Sequence, residues 1–202
     1  MITVEDMIAI EKANLDDAAK ALENADIRQL VEWLSQKDDN VRYQAFLLLQ
    51  NRSKQSGDVY PYWDVFQAKL GSDNSYQRSI GLMLIAENAR WDTRNKMADC
   101  IDEYLDLLND EKPITVRQCI QSLGKIAEHK QEFDDVIAAR LVSFDLDGAK
   151  ATMRKSILLD ILNVLVAIKK AHSSEQLEFF IADALTSDLL DAKAKKQIRS
   201  LL

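Results

Sequence analysis

Apolar residues recur along this chain with helical period, in blocks separated by short polar turns. The first block, 3–23, places Met7, Ile8, Leu15, Ala18, Ala19 and Leu22 on one side of a helix, with Thr3 as its cap and Asp6 in the capping-box position. The later blocks come in twos. A short helix carrying Ile27, Leu30, Val31 and Leu34, capped by Asp26, is followed by the turn SQKDDN and then VRYQAFLLLQNRSK. YPYWDVFQAKL, with Pro61 suited to a first helical turn, precedes GSDNS and YQRSIGLMLIAENAR. TRNKMADCIDEYLDLL pairs with ITVRQCIQSLGKIAEHK, and FDDVIAARLVSF with ATMRKSILLDILNVLVAIKKA. A truncated last unit joins SEQLEFFIADALTSD to LLDAKAKKQIRSLL.

Four arginines mark the register of these units. Arg42, Arg78, Arg117 and Arg154 lie 36, 39 and 37 residues apart, each near the start of a second helix. Three residues after them come Ala45, Gly81, Ile120 and Ile157, and six after them Leu48, Leu84, Leu123 and Asp160. These positions share one helical face, so each second helix offers a stripe that its own unit cannot cover alone. A period of this size is the signature of stacked helix pairs. The expected fold is therefore all-α, an α-α superhelix of about five helix pairs behind an N-terminal capping helix. As one domain over 1–202, it divides into a cap at 1–25 and repeats at about 26–55, 59–91, 92–130, 133–171 and 174–202. Gly81, in mid-helix, costs about 1 kcal/mol against alanine and marks a close approach of two helix backbones.

Acidic residues precede each arginine: Asp39 before Arg42, Asp73 before Arg78, Asp110 before Arg117 and Asp147 before Arg154. With them the chain resembles the HEAT branch of the HEAT and armadillo superfamily over about residues 26–187, most closely in DDNVRYQAFLLLQ and EKPITVRQCIQSLGKIA. The resemblance implies that these eight residues form a structural ladder of ion pairs linking adjacent repeats rather than a site for an anionic ligand. VYPYWDVF, NSYQRSIGLMLIAENA and VRQCIQSLGKIA are similar to segments of small bacterial HEAT-repeat proteins carrying a SufBD-protein label. That label points to iron–sulfur cluster assembly, which implies at most an accessory role here. Thiolate ligation of a cluster commonly takes four cysteines, and this chain has only Cys100 and Cys119.

Composition changes the picture mainly by exclusion. Five glycines and two prolines in 202 residues, with 47% hydrophobic and 29% charged residues, suit an ordered, nearly all-helical chain. No apolar stretch approaches membrane-spanning length, and acids stand at the start where a secretory signal would be basic, so a cytoplasmic protein with no membrane contact is expected. The net charge of −7, shared by both halves, disfavours nucleic acid as a partner. The cluster Lys193, Lys195, Lys196 and Arg199 reads as cations favoured by the end of a last helix.

Catalytic chemistry has little to stand on. The glycines are scattered singly, with no phosphate loop. His129 and His172 fall near the ends of second helices, outside any paired metal spacing. The segment 145–148, DLDG, lacks the glycine and glutamate placement of a calcium loop and reads as a turn. No cofactor and no metal are expected.

Three tryptophans break the repeat. Trp33 follows Leu30 at helical spacing and reads as core, whereas Tyr60, Tyr62 and Trp63 crowd one turn and cannot all point inward. These three are the candidate anchors for a protein or peptide partner. The leading expectation is a non-catalytic interaction scaffold. An alternative follows from the HEAT-like resemblance, because bacterial DNA glycosylases for alkylated bases share that architecture. Asp64 beside Trp63, or Asp92 beside Trp91, would then be the acid.

Overall fold

The computed structural model describes residues 1–202, and all its regular structure is helical. Twelve α-helices follow in order: α1 Val4–Ile8, α2 Leu15–Ala21, α3 Asn24–Trp33, α4 Asp39–Gln55, α5 Trp63–Gln67, α6 Ser75–Asn88, α7 Lys96–Asp106, α8 Pro113–His129, α9 Asp134–Val142, α10 Ala151–Ala171, α11 Glu175–Thr186 and α12 Ala192–Arg199. From α3 onward they form five helix pairs, α3/α4 through α11/α12. The chain gathers into two compact units, Met1–Cys100 and Ile101–Leu202.

In the first unit α4 is the central element, packed by α1, α2, α3 and α6. Its buried face is Val41, Ala45, Phe46, Leu48 and Leu49. In the second unit α10 takes the corresponding place, packed by α8, α9, α11 and α12. The positions three and six residues after each arginine form the stripe in both: Ala45, Leu48, Leu84, Ile120 and Leu123 are fully buried, Ile157 nearly so, and Gly81 is buried between them. At roughly 25 cal/mol per Å² of apolar surface removed from water, this shared stripe is the main term holding neighbouring helices together.

The N-terminal segment departs from the continuous helix expected over 3–23. Thr3 does cap α1, its Oγ1 accepting from Asp6 N at 3.1 Å, but the helix stops at Ile8 and resumes at Leu15 after a 3₁₀ turn at Lys12–Asn14. The break goes with a tertiary contact. Gln44 Nε2 of α4 donates to the carbonyl of Ile10 at 2.9 Å, satisfying an oxygen that a continuous helix would bond internally. Asp26, expected as a cap, sits three residues inside α3. Its Oδ2 accepts from Glu23 N at 3.0 Å and its Oδ1 from Ile2 N at 2.7 Å, tying the start of the chain to the first pair. Burial opposes ionisation of this carboxyl, but the two N–H donors together with the N-terminal ammonium outweigh it and hold the group below the ordinary aspartate value.

Gly81 behaves as its position in α6 implies. A Cβ there would lie 2.6 Å from the carbonyl oxygen of Phe66 and 3.1 Å from Lys69 Cβ, so the α5 segment and α6 touch backbone to backbone. Gly81→Ala should therefore lower stability by about 1–3 kcal/mol, overriding the helix-propensity gain of about 1 kcal/mol. Chemical denaturation of the variant tests this. Unchanged or increased stability would mean the two backbones are not in contact.

Candidate functional site

The recurrent arginines hold turns. Arg42 Nη1 donates to the carbonyl of Gln36 at 2.9 Å, and Nη2 pairs with Asp39. Arg78 Nη1 donates to the carbonyls of Ser72 at 2.7 Å and Asp73 at 3.1 Å. Arg154 Nε donates to the carbonyl of Ala149 at 3.0 Å, while Nη1 reaches Asp147 Oδ1 at 3.3 Å and Nη2 the Asp147 carbonyl. Each guanidinium thus collects oxygens of the turn between its own two helices. The pairs Arg42–Asp39 and Arg154–Asp147 lie within one repeat, which corrects the expectation of a ladder running between repeats. A planar fork of five donors suits a carbonyl-lined turn as well as it suits a carboxylate.

Arg117 is different. Its Nε donates to Asp160 Oδ2 at 2.6 Å and its Nη2 to Oδ1 at 3.3 Å, so it joins α8 to α10 of the next pair. Gln121 Nε2 donates to the same carboxylate at 3.1 Å. Asp160 occupies the register position that is leucine in the other three repeats, so this one departure marks the acceptor of an ion pair between repeats.

The aromatic segment 60–63 is largely structural. Trp63 is fully buried, which corrects its assignment as a surface anchor, while Trp33, expected in the core, is half-buried. Trp63 packs edge-on against Tyr60, ring centroids 5.8 Å apart at 68°. Tyr60 is half-buried, and its hydroxyl donates to Asp92 Oδ1 at 2.8 Å. The Asp92 carboxylate also accepts from Lys96 N at 2.9 Å and Met97 N at 3.0 Å, capping α7. Asp64 pairs with Lys96. Both acids nominated for base excision therefore have structural partners. Of the three candidate anchors, Tyr62 and Tyr60 keep part of their surface.

The other chemistry-bearing residues are similarly placed. Neither Cys100 nor Cys119 is in a disulfide, and both are buried. Cys119 Sγ donates to the carbonyl of Tyr104 at 3.4 Å, and burial pushes its thiol far above the ordinary value. His172 Nε2 lies 3.4 Å from Asp135 Oδ1 at the surface. No three His, Cys, Asp or Glu side chains converge in a way that could hold a metal. No helix is long and apolar enough to cross a membrane.

A wide concavity lies in the first unit, between the turn of the α3/α4 pair and that of the α5/α6 pair. It is an open groove of about 1040 Å³, with Arg42 and Asp39 on one side, Tyr76 and Gln77 on the other, and Lys69 in its wall. Lys69 is only 8% exposed. Its ammonium donates to Ser35 Oγ at 3.1 Å and to Gln77 Oε1, both uncharged. Gln77 is held in turn by its Nε2, which donates to the carbonyl of Leu34 at 2.8 Å. Burial first, and then the nearby Arg42 guanidinium, push Lys69 below the ordinary lysine value. Tyr76 stands 69% exposed on the rim, and Arg42 Cζ lies 5.8 Å from the centre of its ring, within cation–π range.

Sequence reasoning passed over Lys69, Gln77 and Tyr76, although a signal for the first two exists. Nine residues before the arginine the first and third repeats have Trp33 and Leu108, where the second has Lys69. One residue before the arginine the other repeats have Val41, Val116 and Met153, where the second has Gln77. Two apolar register positions turn polar in the same repeat, and the two side chains bond to each other.

No family model matches the chain, and no curated protein matches it, so the narrower likeness to the SufBD-labelled group finds no support in sequence comparison. Among solved structures, the chain is similar to a designed armadillo repeat protein in complex with the peptide (KR)4 and to a second designed armadillo repeat protein. The TM-score is 0.62 for both, at 14% and 16% identity, covering 98% of this chain and 96% of each of theirs. An engineered protein is similar at a TM-score of 0.51 and 16% identity, covering 100% of this chain and 98% of that one. The fold is therefore an armadillo/HEAT-like repeat of stacked helix pairs.

Two substitutions separate structural from surface roles. Trp63→Ala should cost about 3–5 kcal/mol, as for a large core aromatic; a loss below about 1 kcal/mol would return Trp63 to the surface. Asp160→Leu alone should cost about 1–3 kcal/mol by stranding Arg117. Adding Arg117→Met should recover most of that loss in thermal unfolding, and a double variant no better than the single one would mean that the pair is not coupled.

Proposed function

We propose that this protein is a non-catalytic scaffold for a protein or peptide partner, and that the groove bounded by Arg42, Lys69 and Tyr76 is its principal contact surface in the first unit. The observation that carries the reading is the combination in one groove of an exposed aromatic ring, a guanidinium stacked near it and a buried ammonium without a carboxylate partner. Tyrosine and arginine are the residue types that most often anchor partners, because each offers broad contact area and directional hydrogen bonds at modest entropic cost. The armadillo-like fold supports the same reading, since one protein similar to this chain is in complex with a peptide, (KR)4. Tyr62, with part of its ring at the surface, is a second candidate contact.

A scaffold reading also accounts for where the ionisable groups are spent. Asp64, Asp92, Asp160, Arg117 and Arg154 are engaged in caps, turns and pairs, leaving no nucleophile, base and orienting group in mutual reach at the groove. The acidic balance of the chain weighs against DNA as the partner.

Affinity capture from the native host tests the reading, with the parent chain, Tyr76→Ala and Tyr62→Ala as baits. Tyr76→Ala should lose a partner that the parent retains while leaving the thermal midpoint unchanged, because the side chain is mostly exposed. A partner set identical for the parent and Tyr76→Ala would remove the groove from the proposal.

A further inference from the structure

We infer that the groove between the first two turns recognises an acidic residue of an extended peptide segment, with Lys69 as the group that receives its carboxylate. The inference rests on the scaffold reading above and names the chemistry of the partner.

A lysine that loses most of its hydration needs compensation, because transfer of an ammonium from water is costly unless it is paired. Lys69 is more than nine-tenths buried, yet its two acceptors, Ser35 Oγ and Gln77 Oε1, are uncharged. Two neutral hydrogen bonds use two of the three ammonium donors and supply no counter-charge. The third donor belongs to a residue that lines the open groove. Gln77 is itself anchored to the carbonyl of Leu34, so the ammonium is held in place before any ligand arrives. Preorganisation of this kind spares the entropy that a free lysine loses on pairing.

The neighbouring charges decide the sign and size of the missing partner. Arg42 shares the groove, with a side chain only 11% exposed, and spends one donor on the Gln36 carbonyl and one on Asp39. Of the two carboxylates lining the groove, Asp39 is taken by Arg42 and Asp64 by Lys96. Lys37, also on the lining, is exposed and hydrated, so the one buried positive charge without a counter-ion is Lys69, which a single carboxylate balances. A phosphate, carrying close to two negative charges, would over-compensate and would meet the rim carboxylates of Asp39 and Asp64. A polyanion would in addition face the net charge of −7. A basic segment would place its charge against Lys69 and Arg42. Tyr76 and Val65, both exposed on the rim, offer apolar surface for the residues flanking the acid.

The test uses fluorescence anisotropy with end-blocked octapeptides on the full chain. The probes are four Glu–Leu repeats, the same peptide with Gln for Glu, the same with Lys for Glu, and the Glu–Leu peptide with one central Glu replaced by phosphoserine. The Glu peptide should bind at least about ten-fold more tightly than the Gln peptide, the step that a charge-assisted contact of about 1.4 kcal/mol confers. Lys69→Met, which removes a buried charge while keeping much of the apolar stem, should erase this ratio at a thermal midpoint no lower than the parent's. Lys69→Arg, with a wider head that the Ser35–Gln77 cradle does not fit, should restore it only in part. Equal binding of the Glu and Gln peptides, unchanged by Lys69→Met, would overturn the inference while leaving a peptide-binding groove standing. Tighter binding of the phosphoserine peptide would replace carboxylate by phosphate recognition and overturn it as well. Preference for the Lys peptide, or no binding of the Glu peptide at millimolar protein, would also overturn it. The groove's part in the scaffold reading would fall separately, if capture with Tyr76→Ala returned the parent's partner set.

Discussion

A helix pair in this chain cannot bury its own second helix, and the rest of the structure follows from that constraint. Ala45 and Leu48 in α4, Gly81 and Leu84 in α6, Ile120 and Leu123 in α8 and Ile157 in α10 are buried because neighbouring helices cover them. Dry packing of this stripe demands that each second helix enter at a fixed angle and height. The arginine at the head of the helix supplies that by gathering turn carbonyls, as Arg42, Arg78 and Arg154 do. The guanidinium thereby replaces water on oxygens that a helix end leaves open, so the turn is rigid where a repeat must hand its stripe to the next.

Polar residues at stripe or flanking positions are tolerated only when they come with a partner. Asp160 is accepted in α10 because Arg117 and Gln121 reach it. Lys69 is accepted beside Gly81 because Ser35 and Gln77 cradle it, though without charge compensation. The first substitution closes an ion pair within the second unit. The second leaves a cation open to a groove, and on this asymmetry rests the proposal that Lys69 is a binding element.

Much of this was legible in the chain. Repeat period, five helix pairs and the close approach at Gly81 all follow from 3.6-residue periodicity and residue type, because burial in a solenoid is decided locally. The break after Ile8 was not legible, since it depends on Gln44 arriving from another helix. The roles of the tryptophans were exchanged for a similar reason. Spacing alone cannot say which ring of the crowded turn 60–63 points inward, and the structure puts Trp63 inside, against Tyr60, with Tyr62 left partly exposed. The family resemblance implies rungs between repeats; Arg42 and Arg154 do pair with their preceding acids, but within one turn, and the backbone carbonyls that Arg42, Arg78 and Arg154 also hold are present in every turn and leave no sequence mark. Lys69 and Gln77 did leave one, as paired departures from the apolar register of the other repeats.

The central claim is that the groove holds a buried ammonium awaiting a counter-ion. Direct titration of the Lys69 side chain by carbon-13 NMR of its ε-methylene, in the free protein and with a saturating acidic peptide, tests it most directly. The account requires a titration point below that of an ordinary lysine in the free protein, since burial and Arg42 both disfavour the charged form, and an upward shift on binding. An ordinary titration point that the peptide leaves unmoved would contradict it.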